Sequence, residues 1–135
     1  MRRDIEDLGI WMENKIREEQ GEVRIVDTAT GGMKGQKDAQ FSRIPQDVLW
    51  ELAVHYGKGA LKYPDDEQTF EANWQKGYAY RLNVDAMLRH LSLWLQGEEL
   101  DDETGSSHLI AVAWHCFTLR WFQLHARGTD TRIKP

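Results

Sequence analysis

Apolar residues recur at three- and four-residue spacing in four stretches of the chain, the period of helices with one buried face. From Asp4 to Glu19 the apolar positions are Ile5, Leu8, Met12 and Ile16, and Gly21 is placed to end that helix. Pro45 stands near the first turn of a second helix, where a missing N–H costs little. Leu49, Leu52, Ala53, Tyr56, Ala60 and Tyr63 share one face of it until Pro64 stops the pattern. Gly57 and Gly59 weaken its middle and predict a bend or a close backbone approach. A third helix runs from about Tyr80 to Gln96, with Val84, Leu88, Leu91 and Leu95 as its core stripe and Gly97 as C-cap. The fourth begins at Ser106 or Ser107, either a competent N-cap, and continues through Phe122 with apolar residues on nearly every side. A helix of that kind is central to a fold or buried at a subunit contact.

The segments between these helices are less regular. Val23, Ile25 and Val26 form a short β-leaning run, an edge strand or an extended lead-in. Residues 28–45 are rich in glycine and lysine, and the polar stretch from Asp65 to Gly77 reads as a surface loop. The tail beyond Arg127 is expected to fray. The pattern therefore predicts an all-α chain, a compact bundle of about four main helices with long glycine-rich and polar loops and a possible edge strand near 23–26. It divides into an N-terminal helix and lead-in (1–27), one α-helical domain (28–127) and a C-terminal tail (128–135).

Composition narrows the function classes. A chain of 135 residues with 41% hydrophobic content supports one real core. A formal net charge of −5 argues against bulk binding of nucleic acid, though not against a small phosphate-bearing ligand in a locally basic loop. The single cysteine, Cys116, excludes an internal disulfide and a cysteine-rich zinc site. No apolar run approaches the ~20 residues that span a bilayer, so no membrane partner and a cytoplasmic location are expected.

Candidate chemistry gathers at the connection between the third and fourth helices. Glu98, Glu99, Asp101, Asp102 and Glu103 lie between Gly97 and Gly105, a concentrated negative field that water, a cation or a partner must neutralise. Taken alone, such a stretch is more often a solvated acidic turn. Glu98, Asp101 and Glu103 are the metal-ligand pool for Mg²⁺ or Mn²⁺. His90 and His108 flank this loop, and a short connection makes their helices antiparallel neighbours. His115 follows His108 by two turns on the same face. Asp85 and Arg89 have the spacing of an intrahelical pair, and Arg89 can instead face a ligand. Lys34 and Lys37, with the glycines around them, can offer ammonium and backbone N–H groups to an anion. Trp74, beside Lys76, is either a nucleobase stacker or a lid over the core.

These residues, with their neighbours, form a family pattern. Thr30-Gly31-Gly32, Lys34-Gly35, Lys37, Phe41 through Ile44-Pro45, Tyr56-Gly57, Gly59-Ala60 and Lys62-Tyr63 come first. Asn73-Trp74, Lys76-Gly77, Arg89-His90-Leu91, Gly97-Glu98, Asp101, Glu103, Gly105, His108-Leu109 and Trp114 follow in order. Over about residues 28–122 the chain resembles the phage dATP/dGTP diphosphohydrolase N-terminal-domain family. The resemblance implies an α-helical phage protein acting on purine deoxynucleotides in the infected host cell, related in activity to MazG-type enzymes. Those use Mg²⁺ to cleave a nucleoside triphosphate between its α- and β-phosphates. The family pattern often has histidine at the position of Ala111 and asparagine at that of His115, and tends to arginine at that of Gln40. The paired acidic motifs of typical MazG helices are missing: Gly21 interrupts Glu18, Glu19 and Glu22, and no carboxylate occurs between Glu103 and Asp130.

Two functions follow. In the first, a hydrolase, His90, His108 and Glu98 are catalytic, and Glu98, Asp101 and Glu103 hold the metal. Lys34, Lys37, Trp74, Lys76, Arg89 and His115 bind the purine nucleotide. In the second, a phage sponge sequesters a nucleotide-derived signal of host immunity without cleaving it. A structural interaction module is a third, weaker reading. Six tryptophans and the all-round apolar helix point either to a well-filled core or to a homo-oligomer with aromatic surface between subunits.

Overall fold

A computed structural model describes residues 22–134 together with Ile10. The helix expected at 4–19 falls outside the described residues, Ile10 excepted. The chain divides into two compact units, one ending at Pro45 and the other starting at Gln46.

In the first unit, β1 (Val23–Val26) pairs antiparallel with β2 (Met33–Gln36), in the register Val23 to Gln36 and Val26 to Met33. The β-leaning run at 23–26 is therefore a strand. Its partner is a correction to the sequence reading, because Lys34 sits in a ladder and not in a free glycine loop. The turn explains why. Asp27 Oδ1 accepts from the N–H groups of Ala29 and Thr30, and Gly31, at φ +76, takes the left-handed conformation that closes the turn. Gly31 N–H donates to Asp27 O, and Gly32 N–H to Thr30 Oγ1. These amides, expected to cradle an anion, are spent within the turn itself. Hydrogen bonds from the Thr30 and Ala29 amides hold the Asp27 carboxyl below the usual carboxylate range. A 3-10 turn at Phe41–Arg43 follows.

The second unit contains α1 (Gln46–Lys62), α2 (Tyr80–Leu95) and α3 (His108–His125), with a 3-10 turn at Asn73–Lys76. Among the described residues there are thus three main helices. Helix α3 packs on both α2 and α1. Its ends follow local chemistry. Ser107 caps it, its side chain accepting from Leu109 N–H. Gly97, at φ +98, ends α2 in a Schellman motif, with Glu98 N–H donating to Leu93 O and Gly97 N–H to Trp94 O. Gly57 and Gly59 both sit inside α1, and no atom lies within 4 Å of a Cβ placed at either, so close approach is not their reason.

The core reverses an expectation. The stripe Leu88, Leu91 and Leu95 of α2 is exposed, at 58%, 37% and 71%, while Tyr80, Asn83 and His90 are buried. Residues 80, 83, 87 and 90 lie about 100° around the helix from the leucines, one residue's rotation. Helix α3 turns His108, Ile110, Ala111, Thr118 and Phe122 inward. The interior therefore holds Leu52, Tyr80, Ile110, Ala111 and Phe122 beside a polar set of Asn83, His90, Asp101, Ser106, His108 and Thr118. Buried polar groups cost folding free energy unless they are paired, so so many in one small unit mark it as a site. Phe122, fully buried, packs its ring against those of Tyr78, Tyr80, Trp74 and Trp121.

The tail does not fray where expected. Thr129 bridges to Ala79, Tyr80 N–H donates to Thr129 O, and Arg81 N–H donates to Thr131 Oγ1. Among the described residues no helix is long and apolar enough to cross a membrane.

Candidate functional site

The acidic connection is built as a tight hairpin-like loop. Leu100 and Ser107 form an antiparallel bridge, Asp101 N–H donates to Ser106 O, and Gly105 N–H donates to Asp101 O with Gly105 at φ +71. His108 N–H, at the first residue of α3, donates to Glu99 O at 3.0 Å. This fold-back brings Asp101 against the start of α3 and the end of α2. Asp101 is buried, and its Oδ2 accepts from both the N–H and the hydroxyl of Thr104 at 3.0 Å.

His90, from the last turns of α2, and His108 meet there. Their Nδ1 atoms lie 2.8 Å apart, and both rings are buried. One ligand atom each from His90, Asp101 and His108 lie within 4.8 Å of one another. On the far side of the His108 ring, Nε2 stands 3.3 Å from Glu98 Oε1, without the geometry of a hydrogen bond. Burial pushes the Asp101 carboxyl up, but the two Thr104 donors and the neighbouring imidazoles outweigh it and hold it below the usual range. Burial, with the Arg89 charge beside it, pushes the His90 imidazole down. Two imidazoles beside a carboxylate are side-chain types that can hold a divalent cation.

A second polar network adjoins it. Lys58 Nζ donates to Thr104 O at 2.8 Å and to Ser106 Oγ at 3.0 Å, and Ser106 Oγ lies 2.8 Å from His55 Nδ1. Burial and the Lys58 charge push the His55 imidazole down. His55, Lys58 and Lys62 lie on one face of α1 by their spacing. That polar stripe is the signal for them in the sequence, beside the apolar stripe of the same helix.

Both networks border a cavity of about 840 Å³. Its lining includes His90, Asp101 and Thr104, the cations Lys58, Lys62 and Arg89, the rings of Tyr56, Trp74 and Trp114, and Asn83 with His115. Asn83 Oδ1 accepts from Tyr78 Oη at 2.8 Å and from His115 Nδ1 at 3.0 Å, while its buried Nδ2 has no partner among the described residues. Burial dominates at His115 and, with His90, His55 and Arg89, pushes it down to about 4. Burial pushes the Tyr78 hydroxyl up to about 12.

The sequence-predicted residues divide clearly. His90, His108, Asp101 and Glu98 come together, with Glu98 placed behind His108. Glu103 lines the cavity and is ion-paired with Lys62. Arg89 and His115 line the cavity, and Arg89 forms no ion pair with Asp85 among the described residues. Trp74 is both wall and core lid, its ring centroid 5.0 Å from that of Trp121 and 6.3 Å from that of Trp114. Lys76 is not part of the lining: its ammonium is held by Asp66 Oδ2 at 3.2 Å. Asp66 is itself held low by the Thr69 and Gln68 amides and by Lys76. Lys34 and Lys37 belong to the hairpin unit, where Lys37 Nζ lies 4.0 Å from Glu22.

The second unit thus sets buried histidines and an acid beside cations and aromatic rings around one cavity, the concave mixed lining that small-molecule sites have. The chain belongs to the family described as dATP/dGTP diphosphohydrolase, N-terminal, whose model matches residues 28–132. No curated protein and no solved structure matches it.

Proposed function

We propose that the cavity binds a purine deoxynucleoside triphosphate and that the protein hydrolyses it, with a divalent cation, to the monophosphate and pyrophosphate. The observation that carries this reading is the cavity lining, in a chain of a dATP/dGTP diphosphohydrolase family. Tyr56, Trp74 and Trp114 supply π-faces for a base. Lys58 and Arg89 offer positive charge for the phosphates, the role that the sequence alone suggests for Lys34 and Lys37. In the reaction, a water oxygen bonds to phosphorus as the α–β anhydride bond breaks, and pyrophosphate leaves. Such chemistry asks mainly for positioning and charge compensation. Burial and the Lys58 charge push His55 toward the neutral form, which can take a proton from that water. A cation in the acidic region would offset phosphate charge and acidify bound water. Asn83 Nδ2, without a partner among the described residues, supports a bound acceptor, since a lone buried donor costs about 1–3 kcal/mol.

The reading extends to a homo-oligomer. Leu88, Leu95 and Phe117 are each more than half exposed in the single chain, apolar surface that a second copy would cover.

The test is incubation of the full chain with dATP or dGTP and Mg²⁺ or Mn²⁺, with separation of the products. Monophosphate and pyrophosphate, lost in Asp101→Asn, are expected. Nucleotide bound but recovered intact after denaturation would overturn hydrolysis and leave a binding-only sponge.

A further inference from the structure

The acidic loop suggested oxygen ligands alone, and the structure offers a different donor set. Two imidazoles and one carboxylate converge at His90, His108 and Asp101, all three buried. Their facing Nδ1 atoms, 2.8 Å apart, must share a single hydrogen, one ring donating and the other accepting. Both Asp101 bonds to Thr104 fall on Oδ2, so Oδ1 is uncommitted among the described residues. His108 Nε2 is fully buried and lacks a hydrogen-bond partner among the described residues, yet lies 3.3 Å from a carboxylate oxygen of Glu98. Each detail describes a ligand set whose hydrogen stands where an ion would sit. If the donating ring takes its other tautomer, with that hydrogen carried on Nε2 in place of Nδ1, both rings turn Nδ1 lone pairs toward one point and both carry their N–H at Nε2. For His108 that N–H then faces Glu98, the carboxylate–histidine arrangement that orients metal-bound imidazoles.

We propose that His90 Nδ1, His108 Nδ1 and Asp101 Oδ1 form a binding site for a borderline transition-metal cation such as Mn²⁺, Co²⁺ or Zn²⁺ in preference to Mg²⁺, with Glu98 as the positioning residue of His108. Imidazole suits these ions, whereas Mg²⁺ demands oxygen ligands in octahedral geometry. His90 and Asp101 also line the cavity, so an ion held there has a side open to ligand or water. As the reaction's cation, the ion rests on the hydrolytic reading above. As a binding site, it rests on the three residues alone.

The experiment uses the full chain, stripped with a chelator and titrated with Co²⁺ while the visible spectrum is recorded. One equivalent is expected to bind with the absorption of a nitrogen- and oxygen-ligated cobalt ion. Zn²⁺ should displace it, and a large excess of Mg²⁺ should not. His90→Ala and Asp101→Asn should abolish the signal, each first shown by circular dichroism to be folded, and His125→Ala should leave it unchanged. If His90→Ala fails to fold, Asp101→Asn, which keeps the side-chain volume, decides. Glu98→Gln should weaken Co²⁺ affinity roughly 10–100-fold without moving the absorption bands or the melting temperature, as removal of a positioning carboxylate does. Equal Co²⁺ binding by the folded His90 or Asp101 variants, or displacement by Mg²⁺, overturns the site. Hydrolysis with Mg²⁺ and no Co²⁺ binding sinks the site and spares the function. Co²⁺ binding without turnover of any deoxynucleotide does the reverse.

Discussion

His115 Nδ1 donates to Asn83 Oδ1 at 3.0 Å across the α2–α3 interface, and that same oxygen accepts from Tyr78. The bond fixes the ring as a donor at Nδ1 while burial, with His90, His55 and Arg89, pushes its affinity for a second proton down to about 4. In the unfolded chain a histidine takes that proton near pH ~6.5. Between about pH 6.5 and 4 the unfolded state therefore binds more protons, and stability falls as the pH falls through that window. Below it, no further loss comes from His115. A contribution of up to about 3 kcal/mol follows from the size of the shift. His115→Asn removes the titrating group, so the metal-free variant should lose less stability between pH 7 and pH 4 than the parent. His55 and His90, also pushed down, keep some slope of the same sign. Denaturant midpoints at the two pH values measure it, and parallel curves for parent and variant would refute the assignment.

The two glycines of α1 separate stability from binding. Neither has an atom within 4 Å of an added Cβ, and neither has a left-handed backbone. Alanine at Gly57 or Gly59 should therefore stabilise the fold by about 1 kcal/mol through helix propensity. Gly59 lines the cavity and Gly57 does not. Gly59→Leu should thus weaken nucleotide binding several-fold while Gly57→Leu leaves it unchanged. Thermal melts and titration with a non-hydrolysable dGTP analogue check both halves.

Those glycines also show how far the residues reveal the fold. Where a local device sets the structure, the chain is legible: Gly97 ends α2 and Ser107 begins α3 by motifs that need only a few neighbours. The same devices place His90, Asp101 and His108 around one short connection, so that part of the site is visible in advance. Strand β2 is not, because Met33-Lys34-Gly35-Gln36 has no β-branched residue and owes its strand to pairing with Val23–Val26. Nor is the inner face of α2. Hydrophobicity singles out the leucines, but the interior accepts Asn83 and His90 because each finds a polar partner there. His55, Lys58 and Ser106 escape notice for the same reason, since their mutual bonds exist only after α1 meets the acidic loop.

The exposed face of α2 makes a prediction of its own. Leu88 and Leu95 are 58% and 71% exposed, and Phe117 of α3 is 56% exposed. If a second copy covers them, light scattering behind size exclusion should give a mass above one chain. Leu88→Lys with Leu95→Lys should return it to one chain without loss of helical signal. A parent that is monomeric at micromolar concentration would remove this surface as a subunit contact.

Gly77 and Gly128 test how the C-terminal segment holds the site's floor. Both have left-handed backbones, at φ +88 and +70. A Cβ at Gly128 would lie 2.5 Å from Tyr78 O, and one at Gly77 would press on the backbone of Gly128. No flexible side chain can move aside to relieve either collision. Alanine at Gly128 should therefore cost more than the ~1 kcal/mol of a left-handed residue alone, because the 77–81 and 127–131 segments must separate. That separation would break the bonds between Thr129 and residues 78–80 and loosen the rings of Tyr78 and Tyr80 on Phe122. Tyr78 in turn anchors Asn83, so the cavity wall should loosen with it. A denaturant melt of Gly128→Ala should show a loss of roughly 2 kcal/mol or more, with weaker nucleotide binding, although residue 128 is not itself part of the cavity lining. A variant as stable as the parent would show that the tail is packed on the site without supporting it.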